Sequence, residues 1–198
     1  MTIKKINKNN IIVLIIHLNK AIDRKDNINK IKSIFKNVII IDAIYGLDLS
    51  KEEYEKENNK LITYHNTKET FRRGKIGCYL SHIKSLKYII DNKLDNVLIL
   101  EDDAEILFND FEEINIEDNI YQLYLGGQFF NKKLILTHSI FYPKYEYTKK
   151  IYDTLLERKR YRAIDIEFAN IIHTKFNIKL NNPIIFKQMN NFSYIKNK

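Results

Sequence analysis

Aliphatic residues along this chain cluster in short runs, separated by polar segments in which apolar positions recur every three or four residues. IIVLII (11–16) and VIII (38–41) are continuous runs of strand length, the pattern of strands covered on both faces. Between them Ile28, Ile31 and Phe35 fall at helical spacing, with Asp23 placed to cap that helix. The first forty residues therefore read strand, helix, strand, the opening of a parallel α/β sheet. Ser50 and Glu53 have the spacing of a capping box, which predicts a polar helix through about Glu57. After a loop to Gly77, the residues Tyr79, Leu80, Ile83, Leu86 and Ile90 trace an amphipathic helix leading into VLIL (97–100). Further strands are predicted at YQLYL (121–125), LIL (134–136) and IIF (184–186), and helices around Tyr147 to Leu156 and Ile164 to Phe176. No repeat and no Pro/Gly/Ser linker divides the chain. The expected class is α/β, a mixed, mainly parallel sheet flanked by helices in a single domain.

Composition leaves that picture in place and narrows the function. The 198 residues suffice for one sizeable domain. With 44% hydrophobic and 29% charged residues, 5 Gly and 2 Pro, disordered and low-complexity classes are excluded. The single cysteine, Cys78, excludes a disulfide framework and a multi-cysteine zinc site and fits a reducing compartment. The basic MTIKKINKNN precedes an apolar run broken by His17 and Asn19, without a small-residue cleavage site, so a strand is expected there rather than a signal peptide. No segment reaches the roughly 20 apolar residues that span a bilayer. A cytoplasmic protein is expected, with peripheral membrane contact left open. The formal charge of +8 favours anionic partners. Its lysines are scattered, however, and neither an aromatic RNA-binding motif nor an Arg-rich helix accompanies them, so nucleic acid is not expected as a partner.

Candidate chemistry enters at VLILEDDAEI (97–106), where an aliphatic strand runs directly into Glu101, Asp102 and Asp103. Carboxylates packed this closely repel one another unless water or a cation screens them. The C-terminal edge of a parallel sheet is also where ligands bind, because the loops diverge there. Oxygen ligands suit Mg²⁺ or Mn²⁺, which takes one or two carboxylates and completes its shell with substrate phosphates. In an extended segment Glu101 and Asp103 face one side and Asp102 the other. A solvated strand end is the competing reading.

Upstream, GKIGCYLSH (74–82) places two glycines ahead of the predicted helix, where they would permit a tight turn and close approach of a ligand to free N–H groups. The spacing is neither a P-loop nor a dinucleotide fingerprint. Ser81 and His82 then fall on the first helical turn, where capping explains them as well as a role in orienting a ligand. Cys78 and His82, four residues apart, raise the alternative of a thiol nucleophile. No third orienting residue is identifiable, and a free Cys after Gly is most often a small buried hydrophobe.

Together these segments resemble glycosyltransferase family 25, which includes bacterial lipooligosaccharide galactosyltransferases and collagen-modifying galactosyltransferase domains. VLIIHLNKAIDR (13–24) is similar to the family's opening strand and turn, with His17 where Asn is usual and Asn19 where Asp is usual. IIIDAIYGLDL (39–49) resembles its A-x-x-G block through Ala43 and Gly46. GKIGCYLSHIKSLKYII (74–90) is similar to the G-x-x-G-C-x-x-S-H block, and VLILEDDAEI to the ILEDD block. Looser likenesses follow in THSIFY (137–142), AIDIEF (163–168) and NPIIFKQMNNFS (182–193).

The resemblance implies a GT-A-like (Rossmann-like) fold and an inverting, Mn²⁺- or Mg²⁺-assisted transfer of a hexose, galactose or glucose, from a nucleotide sugar, typically UDP-linked. The acceptor would be a hydroxyl of a glycan, lipid-linked glycan or peptide. It implies a donor-binding part over about 11–128 and an acceptor-side part over about 129–198. Glu101, Asp102 and Asp103 would replace the common DxD motif, with Asp103 and Glu101 or Asp102 on the metal and His138 as a late ligand. Asp165 is the candidate base, near the start of a helix where it reads equally as an N-cap, and Glu167 is the reserve. Arg24 would reach a donor phosphate unless Asp23 or Asp26 occupies it, and His17, Asn19, Ala43, Gly77, Ser81 and His82 would complete the donor contacts. A catalytically silent scaffold of the same fold is the alternative, motivated by the departures at His17 and Asn19 and by a chain short for a substrate-covering lid.

Overall fold

The computed structural model describes residues 2–108 and 110–189. Ser193 of the NPIIFKQMNNFS block lies outside the described residues. In chain order the first half holds β1 (Ile3–Asn7), β2 (Ile12–His17), α1 (Lys25–Ile34), β3 (Asn37–Asp42), α2 (Lys51–Asn58), α3 (Glu69–Asp91) and β4 (Val97–Glu101). Short strands follow: β5 (Ala104–Ile106), β6 (Glu113–Glu117), β7 (Gln122–Tyr124), β8 (Gln128–Phe130), β9 (Lys133–Ile135) and β10 (Ser139–Tyr142). The chain continues through α4 (Tyr145–Leu156), α5 (Ile164–Glu167), a π-helical turn (Phe168–Ile172), α6 (His173–Lys175), β11 (Ile178–Leu180) and β12 (Phe186–Gln188).

Among the described residues the main sheet has six strands in the order β11-β7-β10-β4-β2-β3. β2 runs parallel to β3 and β4, β11 runs parallel to β7, and β10 is antiparallel to both β4 and β7. The aliphatic runs have no polar face because both faces of the sheet are covered. Leu14, Val97 and Ile99 pack with α3 and α4 residues, while Val13, Ile15, Leu98 and Leu100 pack with Ile28 and Ile31 of α1 and with Ile114 and Phe141. Each such side chain, fully withdrawn from water, contributes about 1.5–3 kcal/mol. The Ser50–Glu53 capping box forms as expected, with Ser50 Oγ accepting from the Glu53 N–H and the Glu53 carboxylate accepting from the Ser50 N–H.

Several expectations are corrected. Asp23 does not cap α1: it lies in a 3₁₀ turn (Ile22–Arg24), and α1 begins after Arg24. α3 begins at Glu69, so Gly74, Gly77, Ser81 and His82 are interior to the helix and offer no free N–H groups of a helix start. Gly77 serves packing instead, since a Cβ there would lie 2.4 Å from the Ile44 carbonyl oxygen and 2.7 Å from the Gly46 nitrogen. Glycine in a helix costs roughly 0.5–1 kcal/mol, and here it lets the 43–46 loop lie directly on α3. SIFY (139–142), not predicted as a strand, is the central antiparallel β10. Four residues buried on every side show no alternation by which to recognise a strand. The strand predicted at 184–186 forms at Phe186–Gln188 and pairs with β5, outside the main sheet.

Candidate active site

Parallel pairing ends β2 and β4 at the same edge, with Ile16 opposite Glu101. The strand end is then fixed on both sides. Asp102 N–H donates to the Ile16 carbonyl (3.1 Å), and Glu101 N–H donates to the His138 carbonyl (2.9 Å). Asn27 of α1 donates to the carbonyls of Asp102 (3.0 Å) and Ala104 (2.9 Å), locking the turn that carries the carboxylates.

The three acids have different partners. Glu101 Oε1 accepts from Thr137 Oγ1 (2.7 Å) and lies 3.1 Å from His82 Nε2. Asp102 Oδ2 accepts from the Leu18 N–H (3.2 Å) and lies 2.9 Å from His17 Nδ1. Asp103 Oδ2 accepts from Gln188 Nε2 (3.0 Å), while its Oδ1 is buried with no hydrogen-bond partner among the described residues.

These surroundings split their acidities. Burial alone would raise the Glu101 carboxyl, but the hydrogen bond and field of His82 and the Thr137 hydroxyl hold it below its ordinary value. Burial raises Asp102 against the opposing pull of His17, the Leu18 N–H and Arg24. Asp103 is pushed up to about 7, first by burial and then by the Glu101 charge, with Asp102 adding to it. One carboxylate of the three thus carries the unresolved repulsion.

The acids line an open cleft, together with Arg24, the 43–46 loop, Gly74, Ser81 and Gln188. Ser81 Oγ donates to the Gly77 carbonyl (2.7 Å) and accepts from the Ile44 N–H (2.8 Å), tying that loop to α3. A concave site with convergent polar groups is where a small-molecule ligand is expected. The family described as Glycosyltransferase family 25 (LPS biosynthesis protein) matches residues 10–177. The chain belongs to glycosyltransferase family 25.

Two curated relatives agree with the membership. Procollagen galactosyltransferase 2 of Mus musculus is 29% identical over 98 residues, 46% of this chain, and that of Homo sapiens is 28% identical over 123 residues, 59% of this chain. The matches span 15% and 19% of those proteins, so this family 25 chain covers under a fifth of their length. Among solved structures, a glycosyltransferase involved in the glycosylation of the major capsid of PBCV-1 superposes with a TM-score of 0.52 at 14% identity, covering 92% of this chain and 94% of that one. That likeness carries the fold, which is the expected GT-A-like α/β architecture.

Most of the expected site residues of this family 25 domain converge on the cleft. Arg24, Ala43, Ser81, His82, Glu101, Asp102 and Asp103 line it, and His17 stands behind Asp102. Gly77 lies beneath the lining loop rather than facing the cleft. Arg24 is buried, with Nε 3.4 Å from the Asp23 carboxylate. Asn19 is not drawn in: it is exposed, and its Nδ2 reaches Asp42 at 3.4 Å. His138 is buried next to Gly126 and does not line the cleft, though its ring acts on Glu101. Burial pushes the His138 imidazole down, favouring its neutral form.

Asp165 is the second residue of α5 and not its N-cap, which is Ala163. Its carboxyl accepts from the Ile166 N–H (2.8 Å), and it is raised first by burial and further by the charge of Glu101, with Lys75 opposing. Glu167 is placed elsewhere. It is fully buried, accepts from the Arg162 N–H (2.8 Å) and lies 3.6 Å from Arg158, so it holds a loop.

The thiol alternative loses its premise. Burial, then the charges of Glu101, Asp165 and Asp103, push the Cys78 thiol well up, opposite to what a nucleophile needs. Cys78, His82 and Glu101 do bring one ligand atom each within 4.8 Å of one another, a group in which a metal would have to displace the thiol proton. Thr137 and Gln188 were missed as site residues. Both stand in the loosely matching blocks THSIFY and NPIIFKQMNNFS, which were the available signal.

Proposed function

We propose that this chain transfers a hexose, galactose or glucose, from a UDP-linked donor to a hydroxyl of a glycan or peptide with inversion, assisted by Mn²⁺ or Mg²⁺. The observation that carries the reading is the buried Asp103 Oδ1, a carboxylate oxygen without a partner among the described residues, at the end of a core strand beside two further acids. An all-oxygen donor set with uncompensated repulsion fits a hard divalent cation. Asp103 with Glu101 or Asp102 would hold it, and when bound it supplies positive charge for the diphosphate. His138, off the cleft, is the weakest of the proposed ligands.

The protein's own groups account for the remaining steps. Arg24 faces the same carboxylates and favours an anionic ligand in the cleft. His17 and Leu18 orient Asp102, while His82 and Thr137 orient Glu101. Asp165, whose carboxyl burial makes a weaker acid than usual, accepts the proton of the acceptor hydroxyl. As that oxygen bonds to the anomeric carbon, the bond to the diphosphate breaks and UDP leaves with the electron pair. The donor side is the part at about 11–128 and the acceptor side about 129–198.

A catalytically silent donor-binding domain is the second reading, favoured because the imidazoles of His82 and His17 already engage Glu101 and Asp102. Incubating the purified protein with a panel of nucleotide sugars, with and without Mn²⁺, separates the two. Metal-dependent release of UDP supports transfer, and donor binding without turnover supports the silent domain. No donor binding across the panel overturns both.

A further inference from the structure

A second, open hollow lies beneath the hairpin formed by β8 and β9. Among its described lining residues are Lys132 and Lys133, and no carboxylate. Neither lysine pairs with an acid among the described residues, although Lys133 Nζ donates to the Asn170 side-chain oxygen (2.5 Å). His173 also faces it, but burial pushes its imidazole down to about 4, and its Nε2 lies 3.0 Å from the Tyr124 hydroxyl. The positive charge of the hollow therefore comes from the lysines.

The hairpin presents its groups in a defined geometry. Asn131 and Lys132 both have positive φ, 47° and 62°, the two-residue turn that matches strand twist. Phe129, two residues before the turn, lines the hollow yet is 65% exposed. An aromatic ring left in water beside two cations and the polar side chains of Thr174 and Asn177 is suited to the C–H face of a sugar ring. A concave wall with hydroxyl and amide groups also suits a saccharide better than the flat surface of a membrane.

One wall of the hollow and the proposed base share a helical stretch. Ala169 on its wall follows Asp165 by four residues along that stretch, about 6 Å at the rise of an α-helix. We propose that this hollow is an acceptor subsite for an acidic saccharide, with a sugar ring against Phe129 and its carboxylate or phosphate group at Lys132 and Lys133. The assignment to the acceptor rests on the reading of Asp165 as base.

The test titrates the full chain with a disaccharide ending in glucuronate, with its neutral glucose counterpart, and with phosphatidylglycerol-containing vesicles, read by saturation-transfer NMR and by sedimentation for the vesicles. The acidic disaccharide binds more tightly than the neutral one, Lys132→Ala weakens it at least fivefold, and Phe129→Ala weakens both sugars. Both residues are exposed, so the variants retain the fold. Equal binding of the two sugars, indifference to both variants, or binding of vesicles alone overturns the proposal. UDP binding, measured in parallel, reports on the cleft separately: its loss with saccharide binding intact would sink the donor reading and not this one.

Discussion

The acidic cleft and the hollow beneath the β8–β9 hairpin carry opposite charge and are built in opposite ways. The cleft takes its acids from the end of a core strand, where neighbouring strands fix the backbone on both sides. The hollow beneath β8 and β9 takes its lysines from an exposed hairpin outside the main sheet. Like charges can be held together in the first because the sheet pays for their repulsion, and the result is one carboxylate, Asp103, left with its proton half-retained near neutral pH. In the second, long flexible side chains spread their charge into water. A fixed backbone suits chemistry that needs set positions, and flexible side chains suit recognition that tolerates adjustment, which is how the two proposals divide them.

Removing the central acid of the cleft gives the largest effect. Asp103→Ala lowers metal-dependent transfer by roughly 10²–10³-fold or more, as loss of a preorganised electrostatic group does, measured as UDP release. The same variant leaves the circular dichroism spectrum unchanged. Full activity in that variant would remove the distinction between the two hollows. Next in size, Gly77→Ala forces a methyl against the Ile44 carbonyl. Overpacking of this kind costs about 1–3 kcal/mol, read as a lowered denaturation midpoint together with weaker donor binding.

Asp103 also sets a pH dependence. Its folded-state pKa of about 7 lies above the ordinary 3.8, so the metal-free folded state holds this proton more tightly than the unfolded chain. Its contribution to stability is fully present below about pH 4 and is lost as pH rises to about 7. Divalent cation must displace the same proton. Mn²⁺ affinity therefore rises up to about tenfold per pH unit below 7 and levels above it, measured by calorimetry. Affinity flat from pH 5 to 8 would remove Asp103 from the metal set. Smallest is Ser81→Ala, which unties the 43–46 loop from α3 without touching the acids. Donor KM rises several-fold with kcat nearly unchanged, an outcome that a simple loss of fold would not give.

The carboxylates were readable in the sequence because strand and turn are local: VLIL followed by EDD states both where the strand stops and what stands there. Asp165 and Arg24 were also identifiable as candidates, although packing alone brings Arg24 to the cleft and Asp165 into the field of Glu101. Gln188 and Thr137 were not singled out, because each reaches the acids from a different segment, 85 and 36 residues away along the chain. Glu167 reads like Asp165 in composition and neighbours, yet two residues along a helix point in different directions. One side chain lies within the field of Glu101, and the other is buried against Arg162 and Arg158.

By itself the sequence determined the α/β class, the long aliphatic strands, the capping box and the acidic strand end, all written in patterns shorter than about ten residues. Tertiary structure decided the rest. It placed β10 between β4 and β7, put Gly77 inside a helix against the 43–46 loop, and paired two of the three acids with histidines while leaving the third short of a partner. Periodicity reports which face of an element is buried, but only the packed molecule determines what that face meets.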